Sequence, residues 1–141
     1  MKGTLVTAMT VLGLGGMAFS GGTAPRQASS VSKSESPFAC VPAALEPRER
    51  KRHFDELGPA LRKLRTGVRE LPDGYEFEFP AKVSTYRLLS EWAFQERSCC
   101  PFFAIDLELE REGGPIWLRL TGREGVKEFI REEFPPVWFA P

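Results

Sequence analysis

The arrangement of apolar residues predicts an α+β domain, a two-layer sandwich in which helices cover one face of a mostly antiparallel sheet. Three observations carry this. Tyr75-Glu-Phe-Glu-Phe79 alternates apolar and charged residues, as a half-buried strand does. Phe103, Ile105, Leu107 and Leu109 alternate in the same way and are followed, across Gly113-Gly114, by the alternating Ile116, Leu118 and Leu120, a hairpin signature. Between and beyond these strands, apolar residues recur at helical spacing. The predicted order is β-α-β-α-β-β-α.

Taken in order, the first 20 of the 141 residues read as a signal peptide. Lys2 precedes an uncharged apolar run from Leu5 to Phe19, and Ala18-Phe19-Ser20 offers small residues for cleavage after Ser20. The run is shorter than the roughly 20 residues of a membrane span, and no cysteine is present there to anchor a lipid. Export with cleavage, and so a secreted or periplasmic location, is the expectation; an uncleaved membrane tether is the alternative. Residues 21–36 are Ser-rich without apolar periodicity and read as a flexible linker. Residues 37–141 then supply enough chain for one modest core.

Within that domain Phe38-Ala-Cys-Val41 predicts a short edge strand ended by Pro42. Pro47 suits the first turn of a helix, and Phe54, Leu57, Leu61 and Leu64 follow helical spacing, with Gly58-Pro59 predicting a kink or two short helices. Leu71-Pro-Asp-Gly74 marks a turn before the Tyr75 strand. Ser84 or Thr85 is a candidate cap for a helix whose stripe is Leu88, Leu89, Trp92, Ala93 and Glu96. Pro101 should stop that helix near Cys100. Thr121-Gly-Arg-Glu124 has the spacing of a capping box, and Val126, Phe129, Ile130 and Phe134 make a last amphipathic helix ended by Pro135-Pro136.

Charge and missing motifs exclude several functions. Nineteen cations balance nineteen anions with the signs interspersed, whereas a nucleic-acid binder needs a net basic surface. No GxSxG, P-loop, GxGxxG or HExxH is present, and nothing pairs a serine or cysteine with a positioned histidine, so no enzyme activity is indicated. Val137-Trp138-Phe139 is an apolar tail after a double proline, and it must either dock back or meet a protein partner.

The chemistry lies in the three cysteines, Cys40, Cys99 and Cys100. Cys99 should be the last helical residue and Cys100 already extended, and the break at Pro101 can turn both sulfurs toward one point. Three thiolates from two segments would make a soft trigonal site for copper(I), mercury(II), arsenic(III) or zinc. Zinc would want a fourth ligand, for which Glu96, one turn before Cys100, and His53, the single histidine, are candidates. Other readings stay open. Cys40 can pair with Cys99 or Cys100 in a disulfide, and free cysteines often pack as small hydrophobes. A catalytic thiol is disfavoured by the negative end of the helix dipole; a thiol-redox protein is a third reading, with no CxxC spacing to argue for it. Glu96 can instead pair with Arg97 or Arg111 at the helix edge, and His53, in a charged run, is expected on the surface.

FAC at 38–40, RELPDGYEFEFP at 69–80, ERSCCPFF at 96–103 and GGPIWLRLTGREGVKEF at 113–129 together resemble a group of small uncharacterised bacterial proteins. These carry an early cysteine, an ER-x-CCPF motif and a WLRLTG-x-EG-x-KEF segment. The resemblance covers nearly all of the folded part. It implies that Cys40, Cys99 and Cys100 are the signature positions, with Glu96 and Arg97 next to them. Such proteins are sometimes found beside heavy-metal or arsenic resistance functions, and no activity comes with the group. The chain departs from the pattern in its leader and Ser-rich linker, which favours a disulfide over a reduced cytosolic thiol site.

Overall fold

A computed structural model describes residues 35–140. The expected signal peptide and all of the linker before Glu35 lie outside the described residues. Among the described residues no helix is long and apolar enough to cross a membrane.

Four strands form one antiparallel sheet in the order β1-β2-β4-β3, with β1 at Gly67–Leu71, β2 at Gly74–Phe79, β3 at Ala104–Leu109 and β4 at Ile116–Thr121. Period-two alternation sorts its faces. Phe77 of β2 lies opposite Val68 of β1 and Leu118 of β4, and Leu118 lies opposite Leu107 of β3. This row, with Tyr75, Phe79, Ile116 and Leu120, forms the core side. On the other face Glu76 lies between Arg69 and Arg119, and a cation–π contact sets the Arg69 guanidinium 3.8 Å from the Trp117 ring centroid. The helices therefore cover one face, and the fold is the expected two-layer α+β sandwich.

The β1 strand was not anticipated. Only Val68 and Leu71 are apolar in GVREL, because an edge strand with a charged outer face has little alternation to show. It pairs with β2 through a two-residue turn, Pro72-Asp73, with Leu71 opposite Gly74. Gly74 is required by close approach, since a Cβ there would collide with the Leu120 backbone carbonyl on β4.

The strand expected at Phe38–Val41 does not form. Residues 35–41 carry no regular structure and lead into a 3-10 turn, Pro42–Ala44. The Val41 N–H is instead taken by the Cys99 carbonyl at 2.8 Å. The Phe38 ring packs edge-on to Phe102, centroids 5.3 Å apart.

A helical run follows: α1 at Pro47–Lys51, a π-helical stretch at Arg52–Leu57, and α2 at Gly58–Leu64. The π-helical turn sits immediately before the expected interruption. Pro59 has no N–H, and in an α-helix its ring would crowd the carbonyl four residues earlier. The widened turn relieves this, with the Gly58 N–H bonding His53 O.

Helix α3 spans Val83–Cys99 and α4 spans Val126–Glu133. Neither expected cap is used. The last extended residue before α3 is Lys82, so Ser84 and Thr85 fall within the first turn. Thr121 is retained by β4, where it pairs with Gly74 and Ala104, and α4 is preceded by Gly125 at φ 96°. The apolar tail docks back on its own chain. Trp138 is buried, with its ring 5.1 Å from that of Phe77, and Arg65 Nη2 donates to the Ala140 carbonyl at 2.7 Å. Val137 stays exposed.

Candidate functional site

The C-terminus of α3 brings the cysteines together. Cys99 is the last helical residue and Cys100 has left the helix, with φ −124° and ψ 73°, as Pro101 dictates. The Cys100 N–H still reaches the Glu96 carbonyl at 2.7 Å. Between the Val41–Cys99 hydrogen bond and the Phe38–Phe102 contact, Cys40 is held against this helix end. The sulfurs of Cys40, Cys99 and Cys100 all lie within 4.8 Å of one another. Cys40 and Cys100 form a disulfide with a Cα separation of 4.9 Å, and Cys99 keeps a free thiol.

The three sulfurs have unequal surroundings. Cys99 and Cys100 are fully buried, and Cys40 is exposed. Burial pushes the Cys99 thiol up from its ordinary range; the nearby Glu96 charge adds to the effect, and the Val41 backbone N–H opposes it. Cys99 is thus a poor nucleophile at neutral pH, and a soft cation must displace its proton to bind.

One turn before Cys100, Glu96 is buried and pairs with His53, Nε2 to Oε2 at 2.8 Å. This corrects two expectations. His53 is inside the molecule, not on its surface, and Glu96 pairs with it instead of Arg97 or Arg111. His53 lies in the π-helical stretch on the side that faces α3. There its Nδ1 meets Gln95 Oε1 at 3.2 Å and its ring stacks on Trp92, centroids 5.5 Å apart and 12° from parallel. A sequence signal for this existed. His53 lies four and eight residues before Leu57 and Leu61, on their stripe, whereas Phe54, three residues before Leu57, is exposed. On the outer side of the same helices Arg52 clasps Glu91 with two hydrogen bonds of 3.0 Å. That hydrogen bonding holds the Glu91 carboxyl below its usual range.

His53, Glu96 and Cys40 line one cavity of about 310 Å³. Neither His53 nor Glu96 joins the three sulfurs as a fourth member of the close-set ligand group. Arg97 is exposed on another face, its guanidinium 5.7 Å from the Phe94 ring centroid. What the arrangement offers is a three-sulfur set, two of whose members can close as a disulfide, beside a buried histidine–carboxylate pair. No family model matches the chain, and no curated protein or solved structure matches it.

Proposed function

We propose that Cys40, Cys99 and Cys100 bind a single thiophilic metal or metalloid ion when reduced, and that the Cys40–Cys100 disulfide is the closed form of the same site. The observation that carries this reading is the third sulfur. A structural disulfide needs two cysteines, yet Cys99 lies within 4.8 Å of both partners. A set of three sulfurs suits copper(I), mercury(II) or arsenic(III), which accept soft three-coordinate sites. Zinc, with its tetrahedral preference, is served less well. Opening the site takes two electrons and two protons from an external thiol reductant. Loading then displaces the thiol protons, so affinity should rise with pH. The leader and linker would make this an exported domain, in which the disulfide form is the resting one.

A second reading is supported by the irregular segment at residues 35–41. Without strand pairing of its own, that segment gains a covalent tie to α3, and the disulfide would serve structure alone.

Native mass spectrometry of oxidised and reduced protein, with mercury(II) and arsenite added, separates the two. The reduced chain should take up one equivalent and the oxidised chain none, and Cys40→Ser, Cys99→Ser and Cys100→Ser should each weaken uptake. If Cys99→Ser binds as tightly as the wild type, the three-sulfur site is wrong and the disulfide is structural.

A further inference from the structure

The cavity beside Cys40 is larger than a bare ion requires. An ion bound by all three cysteines sits between their sulfurs, within a group 4.8 Å across, and leaves the cavity of about 310 Å³ unused. A dry cavity of roughly 150 Å³ is enough to hold benzene. The walls here come from separate parts of the chain: Phe54 from the π-helical stretch, Trp92 from α3, and Phe134 and Trp138 from the segment after α4. Of the three cysteines, Cys40 alone lines it, and Cys40 alone is exposed. Of the polar members of the wall, His53 already meets Glu96 and Gln95, and Arg62 and Glu133 contribute one charge of each sign. A flat apolar group would meet the aromatic faces of Phe54, Trp92, Phe134 and Trp138.

We infer that the cavity receives the organic group of a mono-substituted thiophilic compound, an arsenic(III) or mercury(II) species carrying one aryl group. This rests on the three-sulfur reading and names its ligand class. For arsenic the step is an exchange without redox change. An aryl arsenic(III) dihydroxide loses both As–O bonds and gains two As–S bonds, one of them to Cys40, and the two hydroxides leave as water with the two thiol protons. The As–C bond is kept and directs the ring away from the sulfurs into the cavity. For mercury one Hg–S bond to Cys40 replaces the bond to a halide or acetate, which leaves with the thiol proton.

The test compares ligands that share the same sulfur chemistry and differ in the organic group. Reduced full-length protein is titrated with phenylarsine oxide and with methylarsonous acid, and in parallel with phenylmercury and methylmercury acetate. Arsenite and mercury(II) chloride serve as the inorganic arms. The phenyl form should bind tenfold or more tightly than the methyl form in at least one pair, and the pair that shows the preference identifies the element. Phe54→Ala should erode that preference several-fold and leave inorganic binding unchanged. Phe54 is 45 % exposed, so its truncation should spare the fold, and Phe54→Leu provides a milder second variant. Binding of the inorganic ions through all three cysteines, with no phenyl preference, overturns the cavity proposal and leaves the ion site standing. A phenyl preference that survives both Phe54 substitutions places the ring elsewhere and also overturns it. If neither inorganic nor organic forms bind, the three-sulfur reading fails.

Discussion

Two glutamates are buried to the same degree, and their surroundings differ in kind. Glu76 and Glu96 are each 4 % exposed. Glu76, on the outer face of β2, is gripped by Arg69 at 2.5 Å and Arg119 at 2.7 Å, and Arg119 also reaches Glu108 of β3. Its partners are permanent cations entering from solvent, and the hydrogen bond to Glu76 is what most raises the Arg119 guanidinium above its usual range. The cluster clasps all four strands in register, and its chemistry ends there. Glu96 has instead a partner as buried as itself, a histidine whose charge is not permanent, and both face the cavity beside Cys40. A buried pair of this kind adds little stability over a well-packed apolar pair. The difference teaches that burial of a carboxylate is a weak sign of function, and that the nature of its partner is the better one.

The largest asymmetry should appear on reduction. The Cys40–Cys100 bond has a sequence separation of 60, which on the chain-entropy account stabilises by about 4 kcal/mol. Cys40→Ser should therefore lower unfolding stability by about that amount, and reductant should do the same to the wild type while leaving the variant unchanged. Hydrogen exchange would localise the loss to residues 35–45 and the end of α3, with the β1–β2–β4 ladder protected until global unfolding. Uniform loss of protection in the sheet would show that the two regions are not energetically distinct.

Truncating the two carboxylates comes next. Glu96→Ala leaves a buried imidazole nitrogen without its partner, for a loss of about 1–3 kcal/mol. Glu76→Ala returns two guanidiniums to water, their side chains already 57 % and 35 % exposed, for about 1 kcal/mol or less. Chemical denaturation of both variants measures the ordering. Equal losses would remove the distinction between a buried site and a surface clasp.

This contrast also shows what was legible in the sequence. The strands β2, β3 and β4 were, because each alternates over five or six residues, and α3 was, because its stripe is long. The meeting of Cys99 and Cys100 at a helix end was readable from Pro101 alone. The pairing of Cys40 with Cys100 was one of the open readings, and the choice between them depended on tertiary placement: an irregular segment held by the Val41–Cys99 backbone hydrogen bond and the Phe38–Phe102 ring contact. β1 was hidden because one face of an edge strand is charged. His53 was masked because RERKRHFDE looks like a solvated face, although its spacing to Leu57 and Leu61 places it on their buried stripe. Regular periodicity reveals layers, whereas the site is made where periodicity breaks, at Pro42, Pro59 and Pro101.

The smallest expected effect is the sharpest test of the comparison. Cys99 is held above the ordinary thiol range first by burial and then by the Glu96 charge. A thiol whose folded value is raised favours the fold while it stays protonated. That stability is fully present below the unfolded thiol value and is lost as pH rises through the folded one. Stability curves should therefore show an alkaline decline that Cys99→Ala lacks. In the disulfide form Cys99 is the sole titrating thiol of a chain with three cysteines, so the ultraviolet difference between each protein and its Cys99→Ala counterpart, in which the two tyrosines cancel, follows that thiol. Glu96→Gln removes the charge and keeps the shape, and should move this titration downward by part of its displacement, because burial, the larger cause, remains. Glu76→Gln removes an equally buried charge from the far face of the sheet and should leave the titration where it was. An identical response to both substitutions would mean that Cys99 senses only the net charge of the protein, and the coupling of Glu96 to the sulfur cluster would be lost as an argument for a site.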